Sequence, residues 1–253
     1  MSRSDLILML VLFFATSVVG VVTGSNSLVT VPVMFQFGID EKVAVATNMF
    51  GLTFMAIGGT IPFVRQGTIE FKRLTPLVVL TIVGSAIGAL LVGLITNGAI
   101  KLIVTIAMIV MVIFTLARGG SRNMASESCA TPTPSISPVV YFLTFLLAIY
   151  GGLYSGGYVT VLTAVLVAFA AMSFGESVAA TKLINVFSSG IATLIFMWQG
   201  LVDYQLGIFL AIAMFAGAFV GAHYASTMNE RWLRRIFVAT VFILAVKMLF
   251  DFL

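Results

Sequence analysis

The chain has 253 residues, 60% of them hydrophobic and only 9% charged, with a formal net charge of +4. Soluble domains carry about 25% charged residues, so this composition and a mean hydropathy of +1.17 exclude a water-facing surface. One cysteine, Cys129, and one histidine, His223, exclude an internal disulfide and leave no Cys/His metal set; neither metal nor cofactor is expected.

Eight apolar blocks follow in order: Leu6–Phe37, Val43–Val64, Leu74–Thr96, Ala99–Ala117, Val139–Ala171, Val178–Trp198, Gln205–Ser226 and Leu233–Leu249. A crossing needs about 20 apolar residues, so the chain reads as an all-α, polytopic protein of the cell membrane. The first block is not read as a signal peptide: its leading residues hold one Arg and one Asp, and no small-residue cleavage site follows. Basic residues lie between the blocks, where they set topology rather than bind nucleic acid.

The segment 118–138 is rich in Pro, Gly and Ser. It reads as a polar cytoplasmic linker between two membrane repeats, 1–117 and 139–253. The repeats match in order. Ala46-Thr47 corresponds to Ala180-Thr181, Gln66-Gly67 to Gln199-Gly200, Glu70-Phe71 to Asp203-Tyr204, and Gly84-x-x-x-Gly88 to Gly217-x-x-x-Gly221, at offsets of 133 or 134. A run of matches at nearly one offset marks a duplication.

The first and fifth blocks exceed one crossing. Leu6–Phe37, 32 residues, would be about 48 Å of helix, against a hydrocarbon core of about 30 Å. Thr23–Ser27 breaks the first block and Tyr154–Gly157 the second. Each therefore reads as a re-entrant or broken-helix hairpin, followed by three transmembrane helices; continuous tilted helices are the alternative. With hairpins the repeats are inverted, and Arg65, Lys72, Arg73, Arg118, Arg122, Arg231, Arg234 and Arg235 all face the cytoplasm, as the positive-inside bias prefers.

Inverted repeats with broken helices place a transporter's site near the midplane. Gly24, Ser25, Asn26 and Ser27 in one tip, and Ser155, Gly156, Gly157 and Tyr158 in the other, are the first candidates. A helix leaving each tip presents free N–H groups and the positive end of its dipole, which suits an anion. The alternative is that these glycines only allow close packing. Thr47 and Asn48, with Thr181, Lys182 and Asn185, form a second candidate cluster. Lys182 offers a positive charge to an anion, or snorkels to its span end. Gly84-x-x-x-Gly88 and Gly217-x-x-x-Gly221 read as packing seams, and His223 as structural rather than as a proton sensor. Every carboxylate, from Asp5 to Asp251, falls in a loop or near a span end, which argues against a cation pathway. No ATPase motif and no catalytic motif appears, so no enzyme and no catalytic residue is expected.

In the order and spacing of Gly24–Pro32, Ala44–Asn48, Gln66–Phe71 and Gly84–Ala89, and of their second-half counterparts, nearly the whole chain resembles the TauE/SafE family of sulfite and organic-anion exporters. It departs from the family pattern in Gly24-Ser25-Asn26-Ser27 and in lacking a second-half partner for Pro32. The resemblance implies an anion carrier of the plasma membrane. The expected function is secondary transport of a small anion, sulfite, sulfonate or a related sulfur or organic anion. A non-transporting subunit or scaffold, or an anion channel, is the alternative. The expected partners are the anion and the lipid bilayer; the coupling ion, direction and any homo-oligomer stay open.

Overall fold

The structure is a computed structural model that describes residues 3–24, 26–65, 71–119, 137–170 and 172–224. All nine elements among them are helices: α1 (Arg3–Thr23), α2 (Ser27–Gln36), α3 (Glu41–Arg65), α4 (Phe71–Leu94), α5 (Asn97–Gly119), α6 (Pro138–Leu153), α7 (Tyr158–Phe169), α8 (Phe174–Trp198) and α9 (Tyr204–Tyr224). Five of these, α1, α3, α4, α8 and α9, are long and apolar enough to cross a membrane. Large apolar side chains such as Leu102, Ile106, Val110 and Ile113 recur at helical spacing on the outside of α5. In water such a face would be costly; in lipid it is the expected surface. Ser25, residues 66–70, nearly all of the 118–138 segment with Cys129, and the eighth block Leu233–Leu249 lie outside the described residues.

The long first and fifth blocks are indeed broken, and unequally. The first divides into 21 and 10 residues, the fifth into 16 and 12. At 1.5 Å per residue, α2 and α7 are about 15 and 18 Å long, roughly half a hydrocarbon core. Each break uses a left-handed glycine, Gly24 at φ +77° and Gly157 at φ +81°, a conformation that a Cβ disfavours.

Hydrogen bonds at the helix ends fix where each hairpin returns. Asp40, after α2, accepts from the backbone N–H groups of Lys42 (3.0 Å) and Val43 (3.3 Å) and from the side chain of Asn97. Lys42 donates to the Gly93 carbonyl at 3.1 Å. The end of α2 therefore lies beside the end of α4. The end of α7 lies at the other end of α4, because Arg73 donates to the Ala170 carbonyl at 2.8 Å. There a capping box, Ser173 with Glu176, starts α8. Helices α2 and α7 thus end at opposite ends of α4.

Packing exchanges between the halves. Helix α1 packs on α9 as α6 packs on α4, α3 packs on α9 as α8 packs on α4, and α3 and α8 pack on each other. The two glycine pairs make the first contacts possible. A Cβ on Gly84 would lie 2.7 Å from Ala148 Cβ, and one on Gly88 2.7 Å from the Leu153 nitrogen. On α9, a Cβ on Gly217 would lie 3.0 Å from Ser17 Cβ, and one on Gly221 2.7 Å from Val21 Cγ1. Backbones approach here as small-xxx-small seams allow. His223 is exposed in the last turn of α9.

Candidate functional site

The two hairpin tips meet. A Cβ on Gly24 would lie 3.0 Å from Val159 Cγ1 and 3.1 Å from the Thr160 nitrogen, at the start of α7. The Tyr154 hydroxyl, completely enclosed, donates to the Ser27 carbonyl at 3.0 Å, from one tip to the other. Tyr150 braces the second tip by donating to the Gly156 carbonyl, and its ring meets Tyr154 edge-on.

Between the tips lies a small cleft. Its wall is formed by Gly20, Val21, Gly24, Asn26 and Ser27 from the first hairpin and by Ser155 and Val159 from the second. Leu52, Met55 and Ala56 of α3, with Lys182 and Asn185 of α8, complete it. The α3 residues lie about halfway along a 25-residue helix, which places the cleft deep in the bundle.

Lys182 lies eight residues into α8, about 12 Å along the axis from its start. It is 5% exposed, so it does not snorkel. Among the described residues it has no hydrogen bond and no ion pair. An ammonium is expensive to bury without a counter-charge. Helices α2 and α7 both start at the tips, and neither N-cap residue, Asn26 or Gly157, caps its helix with a side-chain bond. Their first turns add the positive ends of two dipoles.

Of the residues expected from the sequence, Gly24, Asn26, Ser27, Ser155, Lys182 and Asn185 converge on the cleft. The others that are described lie behind its wall. Asn48 donates to Ser27 Oγ at 3.0 Å and accepts from Thr30 Oγ1 at 2.6 Å, clamping the first turn of α2 onto α3. The Thr47 hydroxyl accepts from the Asp203 backbone N–H at 3.0 Å, tying α3 to the start of α9. Thr181 bonds the Val178 carbonyl at 2.9 Å and faces Thr163 at 3.1 Å. Tyr158 is fully buried with its ring against Gly151, and Gly157 packs on Met111. Gly156 is covered by the Tyr154 ring, its would-be Cβ 2.7 Å from the Tyr154 hydroxyl. Sequence reasoning missed Gly20, Val21, Leu52, Met55, Ala56 and Val159. Only Gly20, four residues before Gly24, carried any signal. Among the described residues, no group of His, Cys, Asp or Glu is placed to hold a metal ion.

The family model described as Sulfite exporter TauE/SafE matches residues 8–248. The chain is 24% identical over 245 residues to "Probable membrane transporter protein ORF9" of Sinorhizobium sp, covering 95% of this chain and 92% of that one. It is 24% identical over 248 residues to "Probable membrane transporter protein YfcA" of Escherichia coli (strain K12), covering 95% and 89%. A "Probable membrane transporter protein" of Haemophilus influenzae is 22% identical over 241 residues, covering 94% and 92%. No solved structure matches this chain. The broken helices, the buried cleft between them and a family match spanning nearly the whole length lead to one conclusion: this chain belongs to the TauE/SafE family and is a multi-pass membrane transporter.

Proposed function

We propose that the cargo is a small anion, an oxidised-sulfur or organosulfur species or a related organic anion, moved by alternating access around the cleft between the two tips. The observation that carries this reading is Lys182, buried in the cleft wall with no protein partner among the described residues. A buried ammonium costs free energy unless a negative charge joins it, and two uncapped helix starts flank the same space. The family model's description, a sulfite exporter, supports the sulfur oxyanion among small anions. The return of α2 and α7 to opposite ends of α4 supports inverted repeats, the arrangement in which one half rocks against the other about a fixed site. A scaffold would have no use for an unpaired cation at this depth.

Purified protein alone in liposomes is the test. Sulfite or a short alkyl sulfonate trapped inside should accelerate uptake of the labelled anion, and the exchange should saturate. Absence of flux for every small anion tried would support the scaffold. Non-saturating, purely conductive flux would support a channel.

A further inference from the structure

Beside Lys182, Asn185 is a polar group of the cleft wall that the protein leaves unused among the described residues. It is 7% exposed and lines the cleft. Its Oδ1 is buried without a hydrogen-bond partner, and among the described residues its amide nitrogen has none either. Asn48 provides the contrast within the same protein, because both ends of its amide are occupied by Ser27 and Thr30. Across the cleft, Asn26 Oδ1 also lacks a partner. Its nitrogen makes only a long contact to Ser17 Oγ, 3.4 Å.

Spacing gives the wall a pattern. Lys182 and Asn185 are three residues apart on α8, on one helix face and about 4.5 Å apart along its axis. A fully ionised oxyanion with no other polar group offers acceptors only. It satisfies the ammonium and the amide N–H groups but brings nothing to a carbonyl oxygen. An amide presents one donor end and one acceptor end whichever way it is turned, so Asn185 always has an acceptor left over. Sites built to hydrogen-bond a substituent reject analogues lacking it by large factors, because the buried group is stranded.

We propose that Asn185 reads a hydrogen-bonding substituent, so that the cargo is a bifunctional anion. Its oxyanion head meets Lys182, and a hydroxyl or amine donor lies within about one helical turn of that head. This rests on the anion-carrier reading above and narrows it to a substrate class.

The test compares anions of equal charge that differ by one hydroxyl. The probes are 2-hydroxyethanesulfonate against ethanesulfonate and, with a carboxylate head, glycolate against acetate. Each is titrated into the purified full-length protein at neutral pH, and Kd is read from ligand-dependent melting. At least one hydroxylated anion should bind about tenfold or more tightly than its partner. Asn185→Leu should bring that ratio near one, since a Leu of similar size removes the hydrogen bonds that tell the two anions apart. Equal binding within both pairs by the wild-type protein overturns the proposal and needs no variant to show it; the anion-carrier reading then survives. An undiminished ratio in Asn185→Leu also overturns it. Binding of none of the four anions overturns both.

Discussion

Replacing Lys182 by Met separates binding from folding, and the two effects have opposite signs. Opposite charges about 4 Å apart at an effective dielectric of 20 attract by about 4 kcal/mol. Desolvating the anion offsets part of this, so we expect a loss of about 3 kcal/mol, roughly a hundredfold rise in the anion's Kd. Stability should move the other way. Lys182 is buried in the wall of the cleft without a partner among the described residues, so an apolar side chain of similar length relieves a desolvation penalty. The ligand-free variant should gain about 1 kcal/mol or more. Thermal unfolding in detergent reads both. At a ligand concentration of 100 times the wild-type Kd, the parent gains about 2.7 kcal/mol, and a variant with a hundredfold weaker site only about 0.4 kcal/mol. A lower melting temperature for the ligand-free variant would make Lys182 a structural residue. Undiminished stabilisation by anion would remove it from the site.

Three further outcomes are expected. Gly88→Leu and Gly221→Leu should each destabilise by about 3 kcal/mol, because their side chains would run into the backbones of α6 and α1. Gly98→Ala and Gly175→Ala should cost nothing, since nothing lies within 4 Å of either would-be Cβ; melting temperatures of the four variants check this. In a Cys129→Ser background, single cysteines at the matched positions Phe71 and Tyr204, 55% and 46% exposed, should react with an impermeant thiol reagent from opposite sides of the membrane. Labelling from one shared side contradicts inverted repeats.

The sequence disclosed the elements better than their orientation. Block lengths exceeding one crossing, interrupted at Gly24–Ser27 and at Tyr154–Gly157, were sufficient to locate both hairpins, because bilayer thickness is a hard ruler. Orientation within the bundle had no such signal. A helix that is apolar on every side has no polar face to aim outward, so Asn48 and Lys182, at matched positions of the two halves, entered one candidate cluster. The fold separates them: Asn48 spends its amide on Thr30 and Ser27, 18 and 21 residues away in sequence, whereas Lys182 is left facing the cleft. Whether a polar group is available depends on partners brought by the fold, which one-dimensional spacing does not contain. Leu52, Met55 and Ala56 escaped notice for a related reason. An apolar cleft wall and an apolar core are written in the same residues, and only their position opposite Lys182 and Asn185 distinguishes them. The Gly156 backbone looked available to a ligand because the ring that covers it, Tyr154, lies two residues earlier and folds back over it.

Alternating access requires that one cleft position open to each side of the membrane in turn. Ser155, 7% exposed in the cleft wall, is suited to ask this. In the Cys129→Ser background, Ser155→Cys is treated with a small impermeant thiosulfonate, first on sealed right-side-out membranes and then on inverted ones. Modification is expected from both sides, and saturating anion should slow it on both, because the ligand occupies the space the reagent must enter. Modification from one side only, or at a rate the anion leaves unchanged, would contradict transport around this cleft.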